Sequence, residues 1–155
     1  MEKIIVYVND TTHALAQIAP MKRQAIAGAS ESQRTHWILV ACAPRMSRHV
    51  SKWLTHSARE NFRAKWSEGL FAQIKPLLAT GHDSVQGVVA HQPLLQMTET
   101  LLRQHGAARV LDARLALAGQ PLPPVTRNQP EEVQSRWAVP GAMVGLGTMM
   151  ALAAD

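Results

Sequence analysis

One cysteine, Cys42, is all the chain has in 155 residues. It cannot form an internal disulfide or a cysteine metal cage, which predicts a reducing, cytoplasmic setting. No secretory leader is expected either, because "MEKIIVYVND" offers only a five-residue apolar run before Asp10. No G-x-S-x-G elbow, Walker A loop or G-x-G-x-x-G turn is present, so hydrolase, P-loop and dinucleotide readings find no support. Seven histidines (13, 36, 49, 56, 82, 91 and 105) include no H-E-x-x-H pair. His49 and His56 stand two helical turns apart, and no metal site is expected. Internal repeats are also missing. Acids are outnumbered, 11 against 16 Lys and Arg, and the net charge of +5 leaves phosphates, nucleic acid or anionic lipid as broad partner classes.

What is present is globular. Apolar residues make up 46% and charged residues 17%, ample for one domain with an ordinary core. "IIVYV" (4–8), "WILVACA" (37–43), "VQGVVA" (85–90) and the fainter "ARVLDA" (108–113) are apolar runs without alternation. Strands buried on both faces read this way, as in a parallel sheet covered by helices. Helical periods lie between them. Residues 12–28 place Leu15, Ile18, Met21 and Ala25 on one face, with Thr12 as cap and Pro20 expected to kink or split the helix. Ser57 and Glu60 form an S-x-x-E capping box ahead of Ala58, Phe62, Trp66, Leu70, Ile74 and Leu77, with Val50, Trp53 and Leu54 as an earlier extension. Pro93 opens a third helix that closes at Gly106, with Leu94, Thr98, Leu101, Leu102 and His105 on one face.

The order β-α-β-α-β-α-β predicts a flavodoxin-like, doubly wound open parallel sheet with helices on both faces and the first strand central. Residues 1–118 form this domain. Residues 119–136, which include "GQPLPPVTRNQPEE", read as a Pro-rich loop or linker, and residues 137–155 as an apolar C-terminal segment. Residues 137–154 are eighteen uncharged residues, long enough to span a bilayer, and Gly141-x-x-x-Gly145 resembles a helix-dimer motif. Pro140 and three glycines weaken such a helix. The expectation is packed protein, against the domain or a second copy, with "AMVGLG" supplying a fifth strand; a membrane tether is the alternative.

In sheets of this kind ligands sit beyond the carboxyl ends of the strands. Asn9-Asp10-Thr11-Thr12, Ala43-Pro44-Arg45, His91-Gln92-Pro93 and Asp112-Ala113-Arg114 occupy those ends. Asp10, Thr11, Thr12, His91, Gln92, Pro93, Asp112 and Arg114 are therefore the candidate binding residues, suited to anions and ribose hydroxyls. A plainer use of the same residues is that Thr11 or Thr12 caps the helix and Asp112 pairs with Arg114 or Arg45.

"IIVYVNDTTHAL", "WILVACAP" and "VVAHQPLLQMTETLLRQHGAARVLDAR" together resemble the universal stress protein family over residues 1–114. The resemblance implies a flavodoxin-like domain, commonly a homodimer and in some members ATP-binding. The acid after strand one would contact the nucleoside, here Asp10, and the end of strand three would line the base, here His91–Pro93. ATP-binding members follow strand four with G-x2-G-x9-G-[ST], a cradle of backbone amides. Here "RLALAGQPLPPVTRNQ" has Gly119 alone, and "GLGT" at 145–148 has no correctly spaced partners. Weak or no ATP binding is expected, and no cofactor is required.

Other signals point to structure. Cys42 lies in an apolar strand and reads as a core thiol. His82-Asp83 reads as a solvated turn. Arg45, Arg48, Lys52, Arg59, Arg63 and Lys65 face one acid, Glu60, with Trp53 and Trp66 interleaved. Because both tryptophans fall on the apolar stripe of the second helix, core packing and a solvated charged face are expected over a nucleic-acid surface. Three functions stay open: a universal-stress-type regulatory or small-ligand module, a nucleotide-dependent α/β enzyme, and a tethered interaction protein. No nucleophile or base marks the second.

Overall fold

A computed structural model describes residues 2–28, 34–44, 52–116, 122–127 and 137–138. In chain order the elements are β1 (Glu2–Val8), α1 (Thr11–Gly28), β2 (Thr35–Ala41), α2 (His56–Leu78), β3 (Ser84–Val89), α3 (Leu94–His105), β4 (Arg109–Asp112) and β5 (Trp137–Ala138). The strands form one sheet in the order β3-β2-β1-β4-β5. β1 runs parallel to β2, from Glu2 opposite Thr35 to Val8 opposite Ala41, and parallel to β4, from Ile4 opposite Arg109 to Tyr7 opposite Asp112. β2 and β3 are parallel as well. This is the expected doubly wound α/β sheet, with β1 central.

The apolar runs behave as their composition requires. Ile4–Val8 and Trp37–Ala41 are buried throughout, on both faces. Ile4, Val6, Val8, Trp37 and Leu39 meet α1 and α2 through Ala14, Ile18, Leu70, Ile74 and Leu78. Ile5, Tyr7, Ile38 and Val40 meet α3 through Met97 and Leu101. The strand order reverses after β3, so the right-handed crossover of α3 lands on the opposite face from α1 and α2. β3 differs from the sequence reading. It is an edge strand, half-buried at best, and it carries Gly87, where an added Cβ would lie 2.9 Å from the Phe71 ring of α2. The glycine lets helix and sheet approach there.

The helix ends also differ. Asp10, not Thr12, caps α1: its Oδ2 accepts from the His13 amide at 2.8 Å. α1 then continues through Pro20 as a single helix. α2 starts two residues before the expected capping box, with Thr55 Oγ1 accepting from the Ala58 amide at 3.1 Å. Lys22 of α1 reaches the other end of α2, donating to the carbonyls of Leu77 and Leu78 at 3.0 and 2.6 Å, where a cation suits the helix dipole. Asp83 is no idle turn residue. It accepts from the Thr35 amide at 2.9 Å and the Trp37 indole at 3.4 Å, tying the start of β2 to the turn before β3. Gly106 ends α3 as expected, at φ +81°.

Within the stretch read as a linker, residues 122–127 pack on the sheet, and Val125 is fully buried in the α3-side core. Thr98 explains the docking. Its hydroxyl is directed at the carbonyls of Leu94 (2.9 Å) and Val125 (2.6 Å), so the buried Tyr7 hydroxyl must be the donor in their mutual hydrogen bond. A fifth strand, Trp137–Ala138, runs antiparallel to β4. "AMVGLG", Gly119, Gly141, Gly145, Arg45, Arg48 and Val50 lie outside the described residues. Among the described residues no helix is long and apolar enough to cross a membrane.

Candidate functional site

β1 ends between two neighbours, β4 on one side and α2 on the other, and the two flanks are built differently. The β4 flank is the switch point where the strand order reverses. Asn9 bridges it, donating to the Leu115 carbonyl at 3.1 Å and accepting from the Leu115 amide at 2.6 Å. Behind it Asp112 and Arg114 form a bidentate pair, at 2.8 and 2.9 Å, with both side chains buried. Arg114 also donates to the Pro123 carbonyl at 2.6 Å and so fastens segment 122–127. Two charges taken from water must satisfy each other, and these do. Their donors and acceptors are turned inward and consumed.

On the α2 flank a cleft of about 390 Å³ opens. Asn9, Asp10 and Thr11 form one wall, and Lys65, Trp66, Gly69, Leu70 and Gln73 of α2 form the other. Lys65, Gly69 and Gln73 are spaced four residues apart, one row along a helix face. Among the described residues no carboxylate pairs with Lys65. Gly69 is exposed in mid-helix, and a Cβ added there would meet nothing within 4 Å. Packing therefore gives no reason for glycine at 69, although glycine costs about 0.5–1 kcal/mol relative to alanine inside a helix. What its absent side chain provides is room on the cleft wall.

Of the eight candidate residues from the sequence, Asp10 and Thr11 line this cleft. Thr12 is exposed on the first turn of α1, away from the lining. His91 and Pro93 are exposed at the end of β3; the His91 ring Nδ1 lies 3.0 Å from the Val89 carbonyl, and Gln92 turns its amide toward the Met97 sulfur at 3.7 Å. Asp112 and Arg114 are buried in their mutual pair. Of the plainer uses, the ion pair of Asp112 with Arg114 is observed, while the cap of α1 comes from Asp10 and not from Thr11 or Thr12. Sequence reading missed Lys65, Gly69 and Gln73, and placed Trp66 in the core. The available signal was a glycine inside a strong helix, in an i, i+4 row with a cation and an amide.

Compared with protein-family models, curated proteins and solved structures, the chain has no significant match. Its chemistry must be read from its own groups. Burial pushes the Cys42 thiol up to about 12, with Arg114 only partly offsetting it, so at neutral pH it is a thiol and a poor nucleophile. Burial likewise raises the Tyr7 phenol. Among the described residues no cluster of three His, Cys, Asp or Glu side chains could hold a metal ion. The cleft wall offers the Lys65 cation, the Trp66 indole, the Gln73 amide and the Thr11 hydroxyl, beside the Asp10 carboxylate that caps α1 and the Asn9 amide that holds Leu115. It can bind.

Proposed function

We propose that this protein is a non-catalytic small-ligand-binding module of universal-stress type, self-associating and cytoplasmic, whose ligand enters the cleft between the end of β1 and α2. The observation that carries the reading is the cleft itself. It lies beyond the carboxyl end of the central strand, has a lysine without a carboxylate partner among the described residues, and contains a mid-helix glycine that packing does not require. Doubly wound sheets bind ligands at this edge. The volume suits a nucleoside-sized molecule.

The groups present favour an anion bearing a flat ring: Lys65 for the charge, Trp66 for the ring, Thr11 and Gln73 for hydroxyls. ATP gripped in the family manner fits poorly. β4 is followed by Ala113-Arg114-Leu115-Ala116, with no glycine, and Arg114 is committed to Asp112. Binding is favoured over catalysis because the carboxylate in the lining caps α1 and, among the described residues, no thiol or imidazole joins it.

A thermal-shift screen of the full chain against ATP, ADP, AMP and cyclic dinucleotides tests this. A true ligand at a hundredfold its Kd stabilises by about 2.7 kcal/mol, a rise of roughly 5–10 °C in Tm for a chain of this size. The rise should shrink in Lys65→Ala and vanish in Gly69→Phe, which fills the cleft. A panel without any shift, or a shift that Gly69→Phe leaves intact, refutes the assignment.

A further inference from the structure

α2 is longer than the sheet it covers. Its 23 residues span about 35 Å, against about 23 Å for the seven residues of β2. All its buried positions, Ser67, Leu70, Ile74 and Leu78, lie in its second half. From His56 to Trp66 none is buried. Core packing was the reason to dismiss the basic and aromatic run from Arg45 to Lys65, and for much of its described part, from Lys52 onward, it does not hold. Trp53 is 82% exposed and Phe62 41% exposed; Trp66 alone of the three packs against the core, and it is only half-buried.

The cations around these rings are free to meet a partner. Lys52, Arg59 and Lys65 are exposed, and among the described residues none has a carboxylate in reach; only Arg63 is paired, with Glu60 at 2.9 Å. Arg59, Phe62 and Trp66 fall on one flank of the helix, at i, i+3 and i+7, and Trp53 stands just ahead of the first turn. We infer that this overhanging end of α2, with Lys52 and Trp53, is a docking surface for single-stranded nucleic acid. Rings that stack on bases and cations that track the backbone are the two components such surfaces combine. The charge is complementary, three unpaired cations to a polyanion.

An anionic membrane would take the charge but not the pattern. A helix lying on lipid separates a continuous apolar face from a polar one, whereas here Arg59 shares the flank of Phe62 and Trp66. Duplex nucleic acid would take the charge but leave the rings without bases to stack on.

The test is fluorescence anisotropy of labelled twelve-residue oligo-uridine and oligo-deoxythymidine with the full chain, alongside duplex of the same length and phosphatidylserine vesicles. Both single strands should bind, with a plot of log K against log salt sloping at about −2 for three phosphate contacts. Trp53→Ala and Phe62→Ala should each weaken binding about tenfold or more. Arg59→Gln should reduce the salt slope by about 0.7. Preference for one strand type over the other assigns the surface to RNA or DNA. Trp53, Phe62 and Arg59 lie outside the cleft lining, whereas Lys65 and Trp66 belong to both sites. Trp53→Ala and Phe62→Ala should therefore weaken oligonucleotide binding while leaving any nucleotide-induced thermal shift intact, so that either reading can fail without the other. Undetectable binding, equal or tighter binding of duplex or vesicles, affinity indifferent to Trp53 and Phe62, or a Trp53-dependent dimer that ignores oligonucleotides would each overturn the proposal.

Discussion

The two flanks of β1's carboxyl end use similar residues to opposite effect. Toward β4, Asn9 satisfies the Leu115 backbone, Asp112 and Arg114 satisfy each other and Arg114 reaches the Pro123 carbonyl, which seals the switch point where such sheets usually open. Toward α2, Lys65, Gln73 and Thr11 surround a space. Polar residues at a strand end are thus no guide by themselves. What distinguishes a binding wall from a strut is whether the fold supplies each group with an internal partner.

Breaking the sealed flank should have the largest effect. Arg114→Ala strands a buried carboxylate and should cost about 3–5 kcal/mol in urea unfolding, while Lys65→Ala on the open flank should stay within about 0.5 kcal/mol. Equal losses would erase the comparison. Asn9→Ala removes both hydrogen bonds to Leu115 and should cost about 1–3 kcal/mol. Since Asn9 belongs to both flanks, a ligand titration of that variant would show whether the seal also shapes the cleft. Asp10→Ala deletes the α1 cap for about 1 kcal/mol, whereas Asp10→Asn, itself a good cap, should lose much less.

A gain is expected at the cleft. Gly69→Ala should stabilise the chain by about 0.5–1 kcal/mol, because alanine restricts the unfolded chain and meets no obstruction in the folded one. A destabilised Gly69→Ala variant would mean the position is packed after all.

The smallest effect should arise at neither flank but near the amino ends of the strands. His105 lies with its ring 5.9 Å from that of His36, and burial first, then His36 and Lys3, lower its pKa below the usual 6.5. The unfolded chain therefore takes up this proton before the folded one, and stability should decline as pH falls through 6.5. Unfolding curves of His105→Gln should show a shallower decline between pH 7 and 5.5. An unchanged slope would place the titration elsewhere.

Much of the fold was legible because burial leaves a linear trace. Ile4–Val8 and Trp37–Ala41 are apolar at every position, which only a strand covered on both faces requires, and Gly106 ends its helix as its type implies. Helix starts were less legible. Asp10, Thr11 and Thr12 are all competent caps, and Thr55 competes with Ser57, so local preference alone could not choose among them. Trp53 and Phe62 show the same limit: the helical period put them on the core stripe, but the sheet ends before it reaches them. Periodicity gives a residue's direction from the helix axis, not whether anything stands there.

The sequence by itself determined the alternation of buried strands and helices, and through the handedness of crossovers a doubly wound sheet around β1, because both follow from local apolar patterning and chirality. Only the tertiary structure decided which polar residues were spent. Asp112 and Arg114 are two positions apart in a chain that could have turned either toward solvent; in the fold both are buried, paired with each other, and Arg114 is held by the Pro123 carbonyl. Lys65 and Gly69 became a wall only when α2 was laid beside the end of β1, a proximity between residues more than fifty positions apart that no local pattern encodes.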